Sequence, residues 1–191
     1  MTGGMRMFAA LVPPAAALTD LDAFLEPRRE VAPFRWTSID QVHVTLAFYA
    51  DVEDRRLDEL VERLGRAAAR RTAPDTAISG GGAFPDVRRA RVVWAGLDLD
   101  DSGRTEVDRL ATGCRAAASR AGVAVDGQRF RPHLTVARTG RPTEVTSWVR
   151  LLDGYAGPRW TADRVHLVAS HLGEGPRGRP RYETVAELPL G

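Results

Sequence analysis

Residues 41–49 read QVHVTLAFY, and their alternation decides the fold. Val42, Val44, Leu46 and Phe48 alternate with His43, Thr45 and Ala47, the period of a strand with one face in a core and the other free for chemistry. Residues 129–139, RFRPHLTVART, repeat the pattern, with Leu134 and Val136 alternating with His133, Thr135 and Ala137. Each segment carries His-x-Thr-aliphatic, the second copy 90 residues after the first. A repeat at about half the chain length predicts duplicated lobes.

Working outward, Arg6 to Val12 reads as a strand that Pro13 and Pro14 turn into a helix, Ala15 to Leu25, before a short extended piece at Phe34–Trp36. Asp51 is placed to cap a helix whose Leu57, Leu60, Val61, Leu64 and Ala68 form a core-facing stripe. Arg66, Arg70 and Arg71 near its end read as a solvated face. Gly80–Gly82 read as a turn ahead of a strand, Arg91 to Ala95, because a phosphate loop would want a lysine. Ser102 opens a long helix to about Ala121, with Val107, Leu110, Cys114, Ala117 and Ala118 on one side. A helix (Thr143–Leu152), a strand (Trp160–Ala169), an arginine- and glycine-rich loop (Gly173–Arg181) and a last strand (Tyr182–Leu188) complete the pattern.

Composition removes whole classes of mechanism. The 191 residues are 43% apolar, enough for one globular domain over 1–191 with two lobes. Basic and acidic side chains number 27 and 25, so a polycationic nucleic-acid coat is excluded. All the basic residues are arginine, which excludes Schiff-base and pyridoxal enzymes, P-loop NTPases and ligases that carry a nucleotide on lysine. The single cysteine, Cys114, forms no internal disulfide or multi-thiolate metal site; it suits a reducing cytoplasm and reads as a small core residue. Met5–Leu18 is interrupted by prolines and reads as a mature strand, not a secretory signal. No stretch approaches the roughly 20 apolar residues of a membrane span, so no membrane partner is expected.

The chemistry follows from strand geometry. Residues i and i+2 share a face, so each motif presents an imidazole beside a hydroxyl. If the lobes meet, two imidazoles that titrate near neutrality can serve as general base and general acid, while the hydroxyls hold nonbridging oxygens of a phosphodiester. Metal binding is the poorer alternative, because the sequence has no His-Glu-x-x-His, no His-x-His and no cysteine pair. His166 and His171 lack the hydroxyl neighbour and read as local structure.

With MRMFAALVPP (5–14), VHVTLAFYADV (42–52), GGGAFPDVRRARVVWAG (80–96) and FRPHLTVAR (130–138), the chain resembles the 2H phosphoesterases, specifically the bacterial and archaeal RNA 2',3'-cyclic phosphodiesterases, also called 2'-5' RNA ligases. The resemblance implies a bilobal α+β fold, with two antiparallel sheets related by an approximate twofold around a cleft and helices outside. It implies metal-independent opening of RNA 2',3'-cyclic phosphate ends to 2'-phosphates without a cofactor, with 2'-5' ligation as the reverse. His43 would be the acid toward the 3'-oxygen and His133 the base for water, with Thr45 and Thr135 on the phosphate. Arg138 matches a phosphate-contacting arginine of the second motif; strict alternation from His133 turns it away unless the strand bulges. Phe48, at the equivalent place in the first motif, is either core or a base-stacking platform. Arg129, Arg131, Arg138 and Arg141 form a positive rim without an acidic residue, and Arg177, Arg179 and Arg181 make a basic loop able to close over a nucleotide. Two other readings remain open: a phosphodiesterase for another cyclic nucleotide or cyclic-phosphate sugar, and a noncatalytic RNA-end-binding module. No protein partner is implied.

Overall fold

A computed structural model describes residues 4–191; residues 1–3 of the expected domain lie outside the described residues. Its antiparallel strands form two similar runs. In the first, β1 (Met5–Leu11) lies between β3 (Val44–Val52) and β8 (Arg164–His171), and β8 carries β9 (Arg181–Pro189) on its far side. In the second, β5 (Ala90–Asp98) lies between β6 (Leu134–Thr143) and β4 (Asp75–Phe84), with β7 (Trp160–Thr161) beyond β4. One ladder pair, Val44 with Leu134, joins the runs, giving the order β7-β4-β5-β6-β3-β1-β8-β9. Past that pair β3 and β6 diverge, and β2 (Arg35–Trp36) pairs with β6 at Arg138 and Ala137.

Each run has helices against it: α1 (Ala15–Arg29) and α4 (Thr146–Asp153) against the second, α2 (Asp54–Ala68) and α3 (Asp101–Arg120) against the first. The expected α+β class therefore holds. Helical spacing explains the packing: α2 buries Leu60, Leu64 and Ala68, and α3 buries Val107, Leu110, Cys114 and Ala118. Burying one such leucine is worth roughly 1.5–3 kcal/mol. On β1, Met7, Ala9 and Leu11 enter this main core, whereas Phe8 and Ala10 face the other way and pack with Val168, Phe48 and Tyr182. The second face is the one left for function. Among the described residues no helix is long and apolar enough to cross a membrane.

Several local expectations are corrected. Gly80–Gly82 lie within β4, not in a turn. Gly81 and Gly82 are small because neighbours lie on them, and Gly80 has a left-handed φ of +74°: a Cβ on Gly82 would meet the Trp94 indole at 2.1 Å, and one on Gly81 would meet Leu152 Cβ at 2.5 Å. Asp51 stays in β3, and α2 starts after Glu53 without a side-chain cap; α3 is capped two residues before Ser102, by Asp100, whose carboxylate accepts from the Gly103 N–H at 2.6 Å. Thr143 ends β6, so α4 begins only at Thr146, and α1 runs past Leu25 to Arg29 with Pro27 inside it. The strand expected over 160–169 is two, β7 and β8.

Candidate active site

Both histidines stand one residue before a strand, at the seam. His43 precedes Val44 and His133 precedes Leu134, the two residues of the joining pair. Antiparallel register about that pair sets His43 across from Thr135 and Thr45 across from His133, all four on the face opposite Val44 and Leu134. The four side chains line one cavity of about 720 Å³.

The aliphatic residue ending each motif is the extra residue of a bulge. In β3 the register runs from Ala47 opposite Ala9 to Thr45 opposite Ala10, skipping Leu46. In β6 it runs from Ala137 opposite Val93 to Thr135 opposite Trp94, skipping Val136. Leu46 with Ala47, and Val136 with Ala137, are consecutive buried pairs, so the phase of the strand flips there. The fifth residue after each histidine is thereby returned to the cavity. This is how Arg138 reaches it, and how Phe48 does too.

The ring orientations are set by the backbone. His43 Nδ1–H donates to the Gln41 carbonyl at 2.7 Å, and His133 Nδ1–H donates to the Arg131 carbonyl at 2.7 Å. A carbonyl only accepts, so in the neutral rings the lone pair belongs to Nε2. Thr45 Oγ1 lies 3.1 Å from His43 Nε2. Phe8 stacks on the His43 ring at 4.5 Å and 18°, and Tyr182 meets it edge-on at 5.7 Å. His133 instead meets Phe84 edge-on at 4.9 Å, with Trp94 at 6.1 Å.

Burial dominates the titration of both rings. It lowers the His43 pKa from 6.5 to about 4, against the Gln41 carbonyl that favours the charged ring; the nearby His133 and Arg138 lower it further. His133 is lowered by burial first and by Arg138 and Arg131, with the Arg131 carbonyl opposing. Tyr182 is raised, chiefly by burial. Both imidazoles are therefore neutral in the free protein at pH 7, two proton acceptors facing one space. Among the described residues no three His, Cys, Asp or Glu side chains gather as a metal would need.

Phe48 is half-buried, and the Arg6 guanidinium lies 4.4 Å above its ring, so that face is covered from within the protein. His171 pairs with Glu183 at 3.0 Å and Cys114 is buried, its thiol pushed up to about 12; neither lines the cavity. Arg6, Phe8, Gln41 and Tyr182 went unread in the sequence, although Arg6 and Phe8 carry the period-two signal on a strand that proves to neighbour the first motif.

The sequence model of the 2'-5' RNA ligase superfamily matches residues 14–174. The RNA 2',3'-cyclic phosphodiesterase of Geobacillus stearothermophilus is 27% identical over 161 residues, 83% of this chain and 48% of that one, so the chain spans about half the length of that relative. The enzyme of the same name from Aquifex aeolicus is 27% identical over 158 residues, 82% of each. The structure of E. coli LigT complexed with 3'-AMP superposes with a TM-score of 0.76 at 25% identity, covering 97% of this chain and 98% of that one.

Proposed function

The chain belongs to the 2'-5' RNA ligase superfamily, and from that membership we propose that it hydrolyses the 2',3'-cyclic phosphate at an RNA end to a 2'-phosphate. The observation carrying the reading is the joining of β3 and β6 at Val44 and Leu134, which sets two His-Thr pairs around one cavity. The names of the curated relatives, and the 3'-AMP held by LigT, support a ribonucleotide with phosphate on the ribose edge.

In the proposed reaction water attacks phosphorus, its proton passing to His133 Nε2. The P–O3' bond breaks, and the leaving oxygen takes a proton from His43 Nε2. Thr45, Thr135 and Arg138 hold the nonbridging oxygens as charge builds on them. An anionic phosphate between the rings favours their charged forms, offsetting the burial and the arginines that otherwise suppress them. The acid role of His43 therefore arises in the complex rather than in the free protein.

The experiment is product analysis on an oligoribonucleotide ending in a 2',3'-cyclic phosphate, with a nucleoside 2',3'-cyclic phosphate and ADP-ribose 1'',2''-cyclic phosphate alongside. Phosphorus NMR is expected to show a 2'-monophosphate from the RNA end. Exclusive turnover of the ADP-ribose compound would move the substrate away from RNA, and tight binding without turnover would make the protein a binding module.

A further inference from the structure

The cleft contains more positive charge than one phosphorus centre uses. Its wall includes Arg6, Arg35, Arg138, Arg177 and Arg179 and no Asp or Glu. Arg138 sits beside the histidines, and Arg6 is engaged on Phe48. That leaves Arg35, on β2 opposite Arg138, and the pair Arg177 and Arg179, which approach from the loop between β8 and β9.

Within this hairpin the arginines divide by position. Arg181, at the base, is paired with Glu174 at 2.8 Å and Glu183 at 3.3 Å, and Glu183 also accepts from His171. Arg177 and Arg179, which face the cavity, have no ion pair among the described residues. Around this loop the arginine outside the cavity wall is the one that is ion-paired.

The loop has a defined shape. The Gly175 N–H donates to the Arg179 carbonyl at 2.8 Å, and the Arg179 N–H to the Pro176 carbonyl at 3.2 Å. Arg177 takes a left-handed backbone, φ +58°, a conformation disfavoured for a residue with a Cβ. Gln41 ties the loop to the catalytic centre: its side-chain amide donates to the Pro180 carbonyl at 2.8 Å, while its own carbonyl orients His43. At the root of the loop Leu172, 63% exposed, lines the same cavity and offers an apolar surface of the kind a nucleobase covers.

We propose that residues 173–180 form a basic arm whose Arg177 and Arg179 bind the phosphodiester upstream of the terminal ribose, making the favoured substrate an oligoribonucleotide end rather than a free cyclic mononucleotide. The proposal rests on the cyclic-phosphate reading above and extends it to the rest of the substrate. Because the arm is already ordered by Gln41 and its own backbone bonds, little conformational entropy is lost when it engages. Arg138 handles the reacting phosphorus, and the arm measures what is attached to it.

The test compares wild type, R177A/R179A and R177K/R179K on a nucleoside 2',3'-cyclic phosphate and a six-nucleotide RNA with a cyclic-phosphate end, over a salt series. R177A/R179A is expected to lose at least about 10-fold more kcat/KM on the RNA than on the mononucleotide, mainly in KM. Losing the contacts to that one phosphodiester should flatten the log–log salt slope on the RNA by about 0.7. R177K/R179K is expected to recover most of that slope, because ammonium also binds phosphate as a point charge; a loop needed only for folding would not be restored this way. Equal losses on both substrates, or none on the RNA, would overturn the proposal. Anisotropy of a fluorescent RNA with a 2'-phosphate end reads the arm without turnover: a wild type that binds through Arg177 and Arg179 but hydrolyses neither substrate fails the catalytic reading and leaves the arm standing.

Discussion

The two half-sites share a backbone and differ in what surrounds it. Around His43, Phe8 covers one face of the ring, Tyr182 touches its edge and Thr45 meets Nε2; around His133, Phe84 and Trp94 present themselves to the ring and Arg131 lies 5.9 Å from the Phe84 centroid. Both histidines precede the joining pair, both have Nδ1 bound to the carbonyl two residues back, and both motifs bulge at their fourth residue. The same bulge then delivers Phe48 in one half and Arg138 in the other. Repeated backbone supplies the geometry, and unlike neighbours set the two halves apart.

The strongest test of that division removes each imidazole. His43→Ala and His133→Ala are each expected to lower kcat on a cyclic-phosphate end about 10²–10⁴-fold, the usual worth of a positioned acid or base, with circular dichroism unchanged. The two variants separate on a substrate whose 3'-bridging oxygen is replaced by sulfur, because a thiolate leaves without a proton. Turnover should return largely to His43→Ala and not to His133→Ala. Rescue of His133→Ala instead would exchange the roles.

Next in size is the contrast between the residues five places on. Arg138→Ala is expected to reduce kcat about 10²–10³-fold, the loss typical of one donor aimed at developing negative charge. Phe48→Ala removes the surface on which Arg6 rests, a cation–π contact worth about 0.5–1 kcal/mol, together with its packing on the Phe8 cluster, and should raise KM a few-fold. Comparable kcat losses in both variants would break the asymmetry.

The site was legible because the chemistry lies in two short strings, each readable as a strand. The bulges were not legible, since Leu46 and Val136 look like ordinary members of an alternation. Only the register with β1 and β5 reveals them, and with it the direction of Arg138. The glycine run was misread for a related reason: three glycines signal a turn locally, and here the neighbouring strand of the same hairpin places Trp94 over Gly82, a contact set by the β4–β5 register. Gly82→Ala tests this, because the added methyl must displace an indole that adjoins His133. Thermal or urea unfolding is expected to show a loss of about 1–3 kcal/mol, the cost of overpacking. Gly140→Ala, which meets nothing within 4 Å, should lie within about 0.5 kcal/mol of wild type.

The smallest effect concerns stability in mild acid, where the Phe8-covered half-site should show itself without any substrate. His43 has its folded pKa lowered from 6.5 to about 4 by burial, so between those values the unfolded chain binds a proton that the folded one resists. The resulting stability is fully present above pH 6.5 and is lost as the pH falls toward 4. Between pH 7 and 5.5 the loss from this one ring is about 1 kcal/mol, because a proton taken up by the unfolded chain alone costs the fold about 1.4 kcal/mol for each full pH step. His43→Gln keeps a polar side chain there and removes the titration, so its unfolding free energy should fall less steeply than that of wild type across this interval. His133 shares the cavity and disfavours the charged form of His43, which makes a His43→Gln/His133→Gln double variant informative. If its pH slope equals that of His43→Gln alone, the His43 half carries the acid sensitivity, and if it flattens further the His133 half contributes as well. A wild-type slope that His43→Gln leaves intact would mean that the Phe8-covered ring is not the group resisting protonation, and the contrast between the two halves would rest on geometry alone.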